Sequence, residues 1–178
     1  LHRYTGQEDI VVCSPMASRD RAELEQLIGY FNNIVVVRAD VSGNPGFRSL
    51  LAQVRRLAIE AYDNQNLPLQ QLAQLPNLVR TPLTRVMFSY QETSSRRLTL
   101  PGLEAKAVNV RKDAADFDLA LYLEYEGEAL AGVLDFNADI FSAAAIKKLL
   151  QRFGQVLSLA LRDPDRRLQD FPAYGKKP

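Results

Sequence analysis

A continuous β-branched run follows a glycine within residues 28–38, which read Ile28-Gly29-Tyr30-Phe31-Asn32-Asn33-Ile34-Val35-Val36-Val37-Arg38. Four branched side chains in succession suit a strand that is covered on both faces, as in α/β sheets. The residues before Gly29 indicate a short helix from Arg19 to Ile28, which the glycine ends. The segment therefore predicts a helix-to-strand unit of an α/β protein.

A second strand and a long helix flank this unit. Upstream, residues 9–17 indicate a buried strand in which Pro15 favours a sheet-edge or strand-end position. Downstream, Asn44 fits the N-cap and Pro45 the first position of a helix. Apolar residues at intervals of three and four then predict one buried helical face: Phe47, Leu50, Leu51, Val54, Leu57, Ala58 and Ala61.

The rest of the chain adds strands, a hairpin and a final helix. The predicted elements are a short helix at 69–75, strands at 84–92 and 104–110, hairpin strands at 117–126 and 128–137, and a helix from 142 to 163. Gly127 supplies the hairpin turn, Ser142 is a preferred N-cap residue, and Asp163-Pro164 ends the helix. Together these elements predict an α/β fold, a mixed β-sheet with packed helices.

The charge balance and the cysteine count limit the classes of function. The 178 residues include 22 Lys and Arg against 21 Asp and Glu, so no basic excess drives nucleic-acid binding. No stretch reaches the roughly 18 apolar residues of a membrane span. The single Cys13 cannot form an intrachain disulfide, which suits the cytoplasm, and it lies in an apolar run that favours burial over nucleophilic chemistry. With His2 as the one histidine, Cys/His metal sites are excluded.

Motifs in the first half of the chain resemble those of nonribosomal peptide synthetase condensation domains. Residues 28–38 resemble the family's Ile-Gly-x-Phe-Val-Asn-Thr-x-x-x-Arg motif, and residues 12–19 its Val-Gly-Thr-Pro-Val-Ala-Gly-Arg strand end. Residues 64–69 look like a degenerate His-Gln-Asp-Val-Pro-Phe, in which Asn64 replaces His and Leu69 replaces Phe. These departures, with Ile34 for Thr, bear on subtype and substrate more than on fold.

Motifs in the second half continue the resemblance in the same order. Residues 80–91 are similar to Arg-Asn-Pro-Leu-Phe-Gln-Val-Met-Phe and the strand after it. Residues 117–119 and 136–141 resemble the Phe-Asp-Leu and Tyr-Asn-Thr-Asp-Leu-Phe segments near the family's end. Each motif is weak alone, but their order and spacing from residue 11 to residue 172 make the resemblance specific.

The resemblance implies a chloramphenicol acetyltransferase-like half, one lobe of a V-shaped condensation domain. Residues 1–178 would be the C-terminal lobe, with a core at about 9–172 and frayed or linker ends. Such domains join a carrier-bound acyl donor to a carrier-bound aminoacyl acceptor as an amide, through the phosphopantetheine arms of the carriers and without a directly bound cofactor. The family's His-His-x-x-x-Asp-Gly motif belongs to the other lobe and is absent from this sequence, whose start lacks an initiator Met. We therefore expect a piece of a longer acyltransferase, with no catalytic residue of its own and inactive alone.

The resemblance also implies partners and alternatives. The partners are the N-terminal lobe, peptidyl or acyl carrier proteins and an adjacent adenylation domain. A lobe without its partner exposes apolar surface, so self-association of the fragment is expected. Two alternatives stay open: a lobe of an epimerisation or heterocyclisation domain, and a non-catalytic module that docks carriers or recruits tailoring proteins.

Six residues are candidates for the site. Arg19 matches a family residue at the lobe interface that pairs with the Asp of the missing motif, or it is a solvated arginine beside Asp20. The tunnel candidates are Asn33, Arg38, Ser89, Tyr90 and Gln91. Asn33 and Arg38 alternatively form a backbone cap and a surface ion pair, and the three strand residues alternatively reflect ordinary alternation. Asp118 and Asp139 could form a carboxylate pair, but turn and cap roles are preferred.

Overall fold

The computed structural model describes residues 1–75, 83–91, 101–104, 108, 114–126 and 129–173. The strands are β1 (Asp9–Met16), β2 (Asn33–Asp40), β3 (Val86–Gln91), β4 (Leu119–Glu126) and β5 (Ala129–Phe136). The helices are α1 (His2–Thr5), α2 (Ala22–Glu25), α3 (Phe47–Asp63), α4 (Leu69–Leu72) and α5 (Ala143–Arg162), with a 3-10 turn at Leu168–Asp170. None of the helices in these ranges is long and apolar enough to cross a membrane.

The strands form one mixed sheet in the order β2-β1-β3-β4-β5. The outer pairs, β1 with β2 and β4 with β5, are antiparallel, whereas β1 with β3 and β3 with β4 are parallel. Cys13 of β1 stands opposite Met87 of β3 at the parallel junction. The predicted α/β class with a mixed sheet and packed helices is confirmed.

The two faces of the sheet carry separate apolar clusters. On one face, Ile10 packs with α3 and α5 against a cluster that includes Val41, Ala160 and Phe171. On the other face, Cys13, Met87 and Ala120 are buried together. Ile10 and Cys13 lie three positions apart in an extended strand, so their side chains point to opposite faces. The covering of both faces agrees with the continuous apolar character of the strands.

The strands predicted at 9–17, 34–37, 84–92, 117–126 and 128–137 and the final helix are confirmed with small shifts at their ends, with Ser142 as the N-cap of α5, while the predicted turn residue Gly127 lies outside the described residues. The Ser142 hydroxyl accepts a hydrogen bond from the Ala145 N–H at 3.2 Å. Pro15 lies at the second-last position of β1, as the strand-end prediction requires. The strand predicted at 104–110 falls mainly outside the described residues, and neither Glu104 nor Val108 lies in a strand.

Two predicted helix boundaries are wrong. The helix predicted over residues 19–28 is only the single turn α2, since residues 26–32 contain no helical position and α2 has no side-chain cap. The long helix α3 begins at Phe47 with Gly46 as its N-cap, two residues after the predicted cap Asn44. Asn44 instead takes a left-handed backbone (φ 55°), and its side-chain oxygen accepts a hydrogen bond from the Gln169 N–H.

The start of α3 is capped by main-chain carbonyls from the end of the chain. The N–H groups of Phe47 and Arg48 donate to the carbonyl oxygens of Arg166 (2.9 Å) and Pro164 (2.7 Å). The first N–H groups of a helix have no partner within it, so these bonds satisfy groups that a side-chain cap usually serves. The rings of Phe47 and Phe171 lie 6.2 Å apart and extend the same contact.

We predict that Gly132→Ala lowers the free energy of unfolding by about 1–3 kcal/mol, the usual range for overpacking. A Cβ atom at this position would lie 2.5 Å from Leu123 Cδ2 and 2.8 Å from the Tyr122 carbonyl oxygen, so β5 would have to shift. Gly154→Ala is the control, because a Cβ atom there meets nothing within 4 Å inside α5. This substitution should raise the free energy of unfolding by about 0.5–1 kcal/mol, since alanine favours the helix over glycine. Urea unfolding of both variants is the measurement, and effects of the same sign would contradict the packing.

We further predict that the stability contributed by Cys13 is lost at high pH. The thiol donates to the Val86 carbonyl oxygen at 3.2 Å, and burial raises its pKa from 9.0 to about 11. Because folding raises this pKa, the contribution is complete below pH 9 and declines as the pH rises toward 11. The measurement compares unfolding of the native chain and Cys13→Ser, which does not titrate. A difference between the two that stays constant from pH 8 to 11 would be contrary to this expectation.

Candidate functional site

Four of the six candidate residues lie along one edge of the sheet. Parallel strands β1, β3 and β4 end at this edge, and the antiparallel β2 begins there, with Asn33 opposite Met16. We call it the carboxyl edge. It carries Arg19 just beyond β1, Asn33 at the start of β2, and Tyr90 and Gln91 at the end of β3. Loops at such an edge are common locations for binding and catalytic residues.

The Arg19 side chain contacts the loop that follows it in the sequence. Its guanidinium donates to the carbonyl oxygens of Leu24 and, at 3.4 Å, of Gly29. The guanidinium carbon also lies 4.2 Å from the centre of the Phe31 ring, within cation–π distance. Arg19 therefore braces residues 24–31. It is half-buried rather than a fully solvated arginine.

Asn33 holds a distant turn against the sheet. Its side-chain amide donates to the carbonyl oxygens of Gln65 (2.6 Å) and Leu67 (2.9 Å), which lie between α3 and α4. Both hydrogens of the amide are used in these bonds. The residue thus joins two of the recognised motifs, 28–38 and 64–69, by contacts that span more than thirty residues of sequence.

Asp20 and Asn66 complete this set of contacts and were missed by the sequence reasoning. The Asn66 side-chain amide donates to the Asp20 carboxylate at 3.0 Å. This hydrogen bond holds the pKa of Asp20 below its usual value. The family motif has a polar residue at the position of Asn66, which could have indicated a role for this side chain. Its partner could not be identified, because no sequence periodicity connects positions 46 residues apart.

Arg38 and Ser89 do not join the others at the carboxyl edge. Arg38 lies toward the opposite edge of the sheet, where it forms a two-bond ion pair with Asp9 at 2.8 Å and 2.8 Å. This pair is the surface ion pair that the sequence offered as the alternative, and it lowers the pKa of Asp9. Ser89 lies inside β3 and is only 4% exposed.

Aromatic side chains occupy the centre of the carboxyl edge. The rings of Tyr90 and Tyr125 meet edge to face with centroids 6.1 Å apart, and each residue is 48% exposed. Farther along the edge, the loop braced by Arg19 exposes Ile28 completely and Tyr30 to 88%. Leu27, next to Ile28, is also 51% exposed, so this loop presents several large side chains to solvent.

Neither Asp20 nor Arg19 at the carboxyl edge has the properties of a general acid or base at neutral pH. A general acid or base at neutral pH needs a pKa near 7. The Asp20 carboxyl is shifted away from that range, and Arg19 is a fixed cation. Asp118 forms an ion pair with Arg85, and Asp139 follows Asn137, whose side-chain oxygen accepts a hydrogen bond from the Asp139 N–H. The Asp118 side chain is therefore in an ion pair rather than in the preferred turn or cap role, and at Asp139 the turn contact is made by the backbone N–H.

Ser18, next to Arg19, has a strained backbone. Its φ is 44°, in the left-handed region that residues other than glycine rarely adopt. Its hydroxyl is buried without a hydrogen-bond partner among the described residues. Both features cost free energy. They coincide with the position at which the resembling motif has glycine.

The fold defines the structural class of the protein, and the family follows from the sequence match. The mixed five-stranded sheet with helices packed on it is the chloramphenicol acetyltransferase-like arrangement found in solved condensation domains. A family model described as the condensation domain matches residues 1–174. The chain belongs to the condensation domain family, whose relatives here are nonribosomal peptide synthetases.

The relatives that this chain matches are much longer proteins. It is 36% identical over 178 residues to a linear gramicidin synthase of Brevibacillus parabrevis, covering 97% of this chain and 2% of that protein. It is 38% identical over 176 residues to a chondramide synthase of Chondromyces crocatus, covering 96% of this chain and 4% of that protein. The chain therefore corresponds to a small part of each of these synthetases.

Solved structures that resemble this chain are also longer than it. The X-domain from teicoplanin biosynthesis matches with a TM-score of 0.85 and 26% identity, covering 97% of this chain and 41% of that one. The starter condensation domain of rhizomide synthetase matches with a TM-score of 0.82 and 19% identity, covering 97% and 42%. The chain therefore spans about two fifths of these solved chains.

We predict that Ser18→Gly raises the free energy of unfolding by about 1 kcal/mol. Glycine adopts a positive φ without the steric cost that serine meets, and it removes the unpartnered hydroxyl. Ser14→Gly is the matched control, because Ser14 lies within β1 and glycine there should destabilise by about 0.5–1 kcal/mol. Thermal and urea unfolding provide the readout. A destabilised Ser18→Gly would mean that the serine hydroxyl has a partner that outweighs the strain.

Proposed function

We propose that this chain is the C-terminal lobe of a condensation domain that joins a carrier-bound acyl or peptidyl donor to a carrier-bound aminoacyl acceptor. The observation that carries the proposal is the family match over residues 1–174, combined with coverage of only about 41% of a solved domain. A complete sheet within two fifths of such a domain is what one lobe of a two-lobed fold would contain.

The surface of the chain supports a missing companion lobe. The carboxyl edge exposes Tyr30, Tyr90 and Tyr125, together with the apolar Leu27 and Ile28. Exposed groups of this kind favour burial against a partner, at roughly 25 cal/mol per Å² of apolar surface. In the proposed domain they face the N-terminal lobe, and without it they favour self-association of the chain.

The chemistry requires a partner for proton transfer. The acceptor amine attacks the donor thioester carbon, the new C–N bond forms, the C–S bond breaks, and the departing phosphopantetheine thiol takes up the proton that the amine loses. The residues of this chain orient the reactants, because holding both thioesters in place makes the reaction effectively unimolecular. The family resemblance assigns a histidine of the N-terminal lobe to this reaction, either as the base that takes the proton or as a group that orients the amine.

The carriers and an adjacent adenylation domain are the proposed partners. Their phosphopantetheine arms bring both thioesters to the junction of the lobes, so this chain needs no bound cofactor of its own. The relatives to which the chain is 34–38% identical include synthetases that are many times longer, which is the setting in which such partners occur.

A second candidate is a recruitment module without chemistry of its own. It is favoured by the likeness to the teicoplanin X-domain, which has been solved in complex with OxyB and is 26% identical to this chain. The starter condensation domain, by comparison, is 19% identical. In this role the exposed apolar edge would contact a tailoring protein.

We expect that the 178-residue chain, mixed with donor-loaded and acceptor-loaded carriers, gives no amide product above the uncatalysed level. The same chain preceded by the N-terminal lobe in its own reading frame should give amide turnover, detected by mass spectrometry of the acceptor carrier. Turnover by the chain alone would contradict the proposal, as would the absence of an upstream lobe. A two-lobed protein that binds a tailoring enzyme but forms no amide would support the recruitment role instead.

A further inference from the structure

The segment that carries Arg19 lacks regular structure of its own to hold it. Residues 17–20 lie between the end of β1 and the single turn of α2, and that turn has no side-chain cap. Ser18 within it has an unfavourable backbone conformation. The position of Arg19 therefore depends on its own contacts with residues 24–31 and on the contacts of its neighbour Asp20.

Those contacts form a closed series through two asparagines. Asn33 holds the carbonyl groups on either side of Asn66, at Gln65 and Leu67. Asn66 then holds Asp20, the neighbour of Arg19. Arg19 in turn lies over the ring of Phe31, two residues before Asn33.

We propose that Asn33 and Asn66 form a clasp that positions Arg19. Asn33 fixes the turn at residues 65–67 on the start of β2, and Asn66 uses that fixed turn to hold Asp20 and thus Arg19 over Phe31. The inference deepens the proposed function, because Arg19 is the residue of this chain expected at the junction of the lobes. In this proposal both asparagines act through Arg19, so both are positioning residues.

Because Asp20 and Asn66 lie at the surface, a role in positioning Arg19 can be distinguished from a role in global stability. Asp20 and Asn66 are both exposed, and water competes for hydrogen bonds between such groups, so the bond adds little to global stability. Its effect is local, since it holds Asp20 in place beside the hydrogen bonds and the ring contact that Arg19 makes itself. Removal of the bond should leave the fold intact and loosen the contact of Arg19 with Phe31.

The chain offers a matched control in the same turn. The Asn64 side-chain amide donates to the Glu60 carbonyl oxygen at 2.9 Å, within the last turn of its own helix. Asn64→Ala and Asn66→Ala therefore remove the same chemical group two positions apart. Only the second removes a contact with the Arg19 segment.

The test uses NMR of the isotope-labelled 178-residue chain. The Phe31 ring shifts the Arg19 Nε–H resonance away from the position of a free arginine. We expect Asn66→Ala and Asp20→Ala to reduce this shift, Asp20→Asn to restore part of it through the amide oxygen, and Asn64→Ala to preserve it. The melting temperatures should stay within about 3 °C of the native chain. An Arg19 resonance that keeps its shift in Asn66→Ala and Asp20→Ala would overturn the clasp. If Asn66→Ala does not fold, Asp20→Ala decides alone.

A kinetic measurement in the two-lobed protein separates this inference from the proposed function. Asn66→Ala and Asp20→Ala should lower kcat for amide formation by about 10- to 100-fold, the scale of a small misplacement, with KM for the carriers within about twofold. Full activity in both variants would refute a role of the clasp in the reaction. A native two-lobed protein that forms no amide would defeat the proposed function, while the NMR result would still decide whether Arg19 is positioned by the clasp.

Discussion

The parallel contact between β1 and β3 determines the arrangement of the whole chain. It joins an antiparallel pair, β1 and β2, to a second unit made of β3, β4 and β5. Cys13 lies at the junction, fully buried, opposite Met87 and hydrogen-bonded to the Val86 carbonyl. Because parallel strands need a long crossover connection, residues more than 70 positions apart become neighbours here.

The direction of these strands explains the composition of the candidate site. Three parallel strands end together, so the carboxyl ends of β1, β3 and β4 share one edge with the start of β2. Arg19, Asn33 and Tyr90 reach the same edge from three separate motifs. Arg38 follows the strand run that begins with Asn33, but five residues of extended chain carry it toward the opposite edge.

The sequence was most informative where one local physical rule dominated. Periodicity and caps located α5, and a glycine turn between alternating segments located the hairpin. The helix predicted before Gly29 was wrong beyond one turn: only Ala22–Glu25 is helical, and the carbonyl oxygens of Leu24 and Gly29 accept hydrogen bonds from the Arg19 guanidinium. The N-cap predicted at Asn44 was also wrong, since backbone carbonyls from residues 164 and 166 supply the cap instead.

The candidate site was predictable in its members but not in its contacts. A family resemblance could identify Arg19 and Asn33, because each lies within a motif of recognisable spacing. The partnership of Asp20 with Asn66 was not predictable, since it depends on how a turn after α3 lies against β2. Side-chain hydrogen bonds between distant loops leave no periodic trace in the sequence, and they emerge only when the sheet has placed the loops together.

The main-chain cap on α3 has an evolutionary consequence. A cap made by a serine or aspartate side chain is lost by one substitution, whereas carbonyl oxygens are present whatever residues stand at 164 and 166. The helix start is therefore insulated from most point substitutions at the residues that supply the cap. The cap is sensitive instead to the distance between the two segments. An added Cβ atom at Gly46 would lie 3.0 Å from the Asp165 carbonyl oxygen, so the glycine permits their close approach. We therefore expect natural variants to avoid insertions, deletions and larger side chains where the start of α3 meets residues 164–166. The identity of the surrounding side chains can vary more freely.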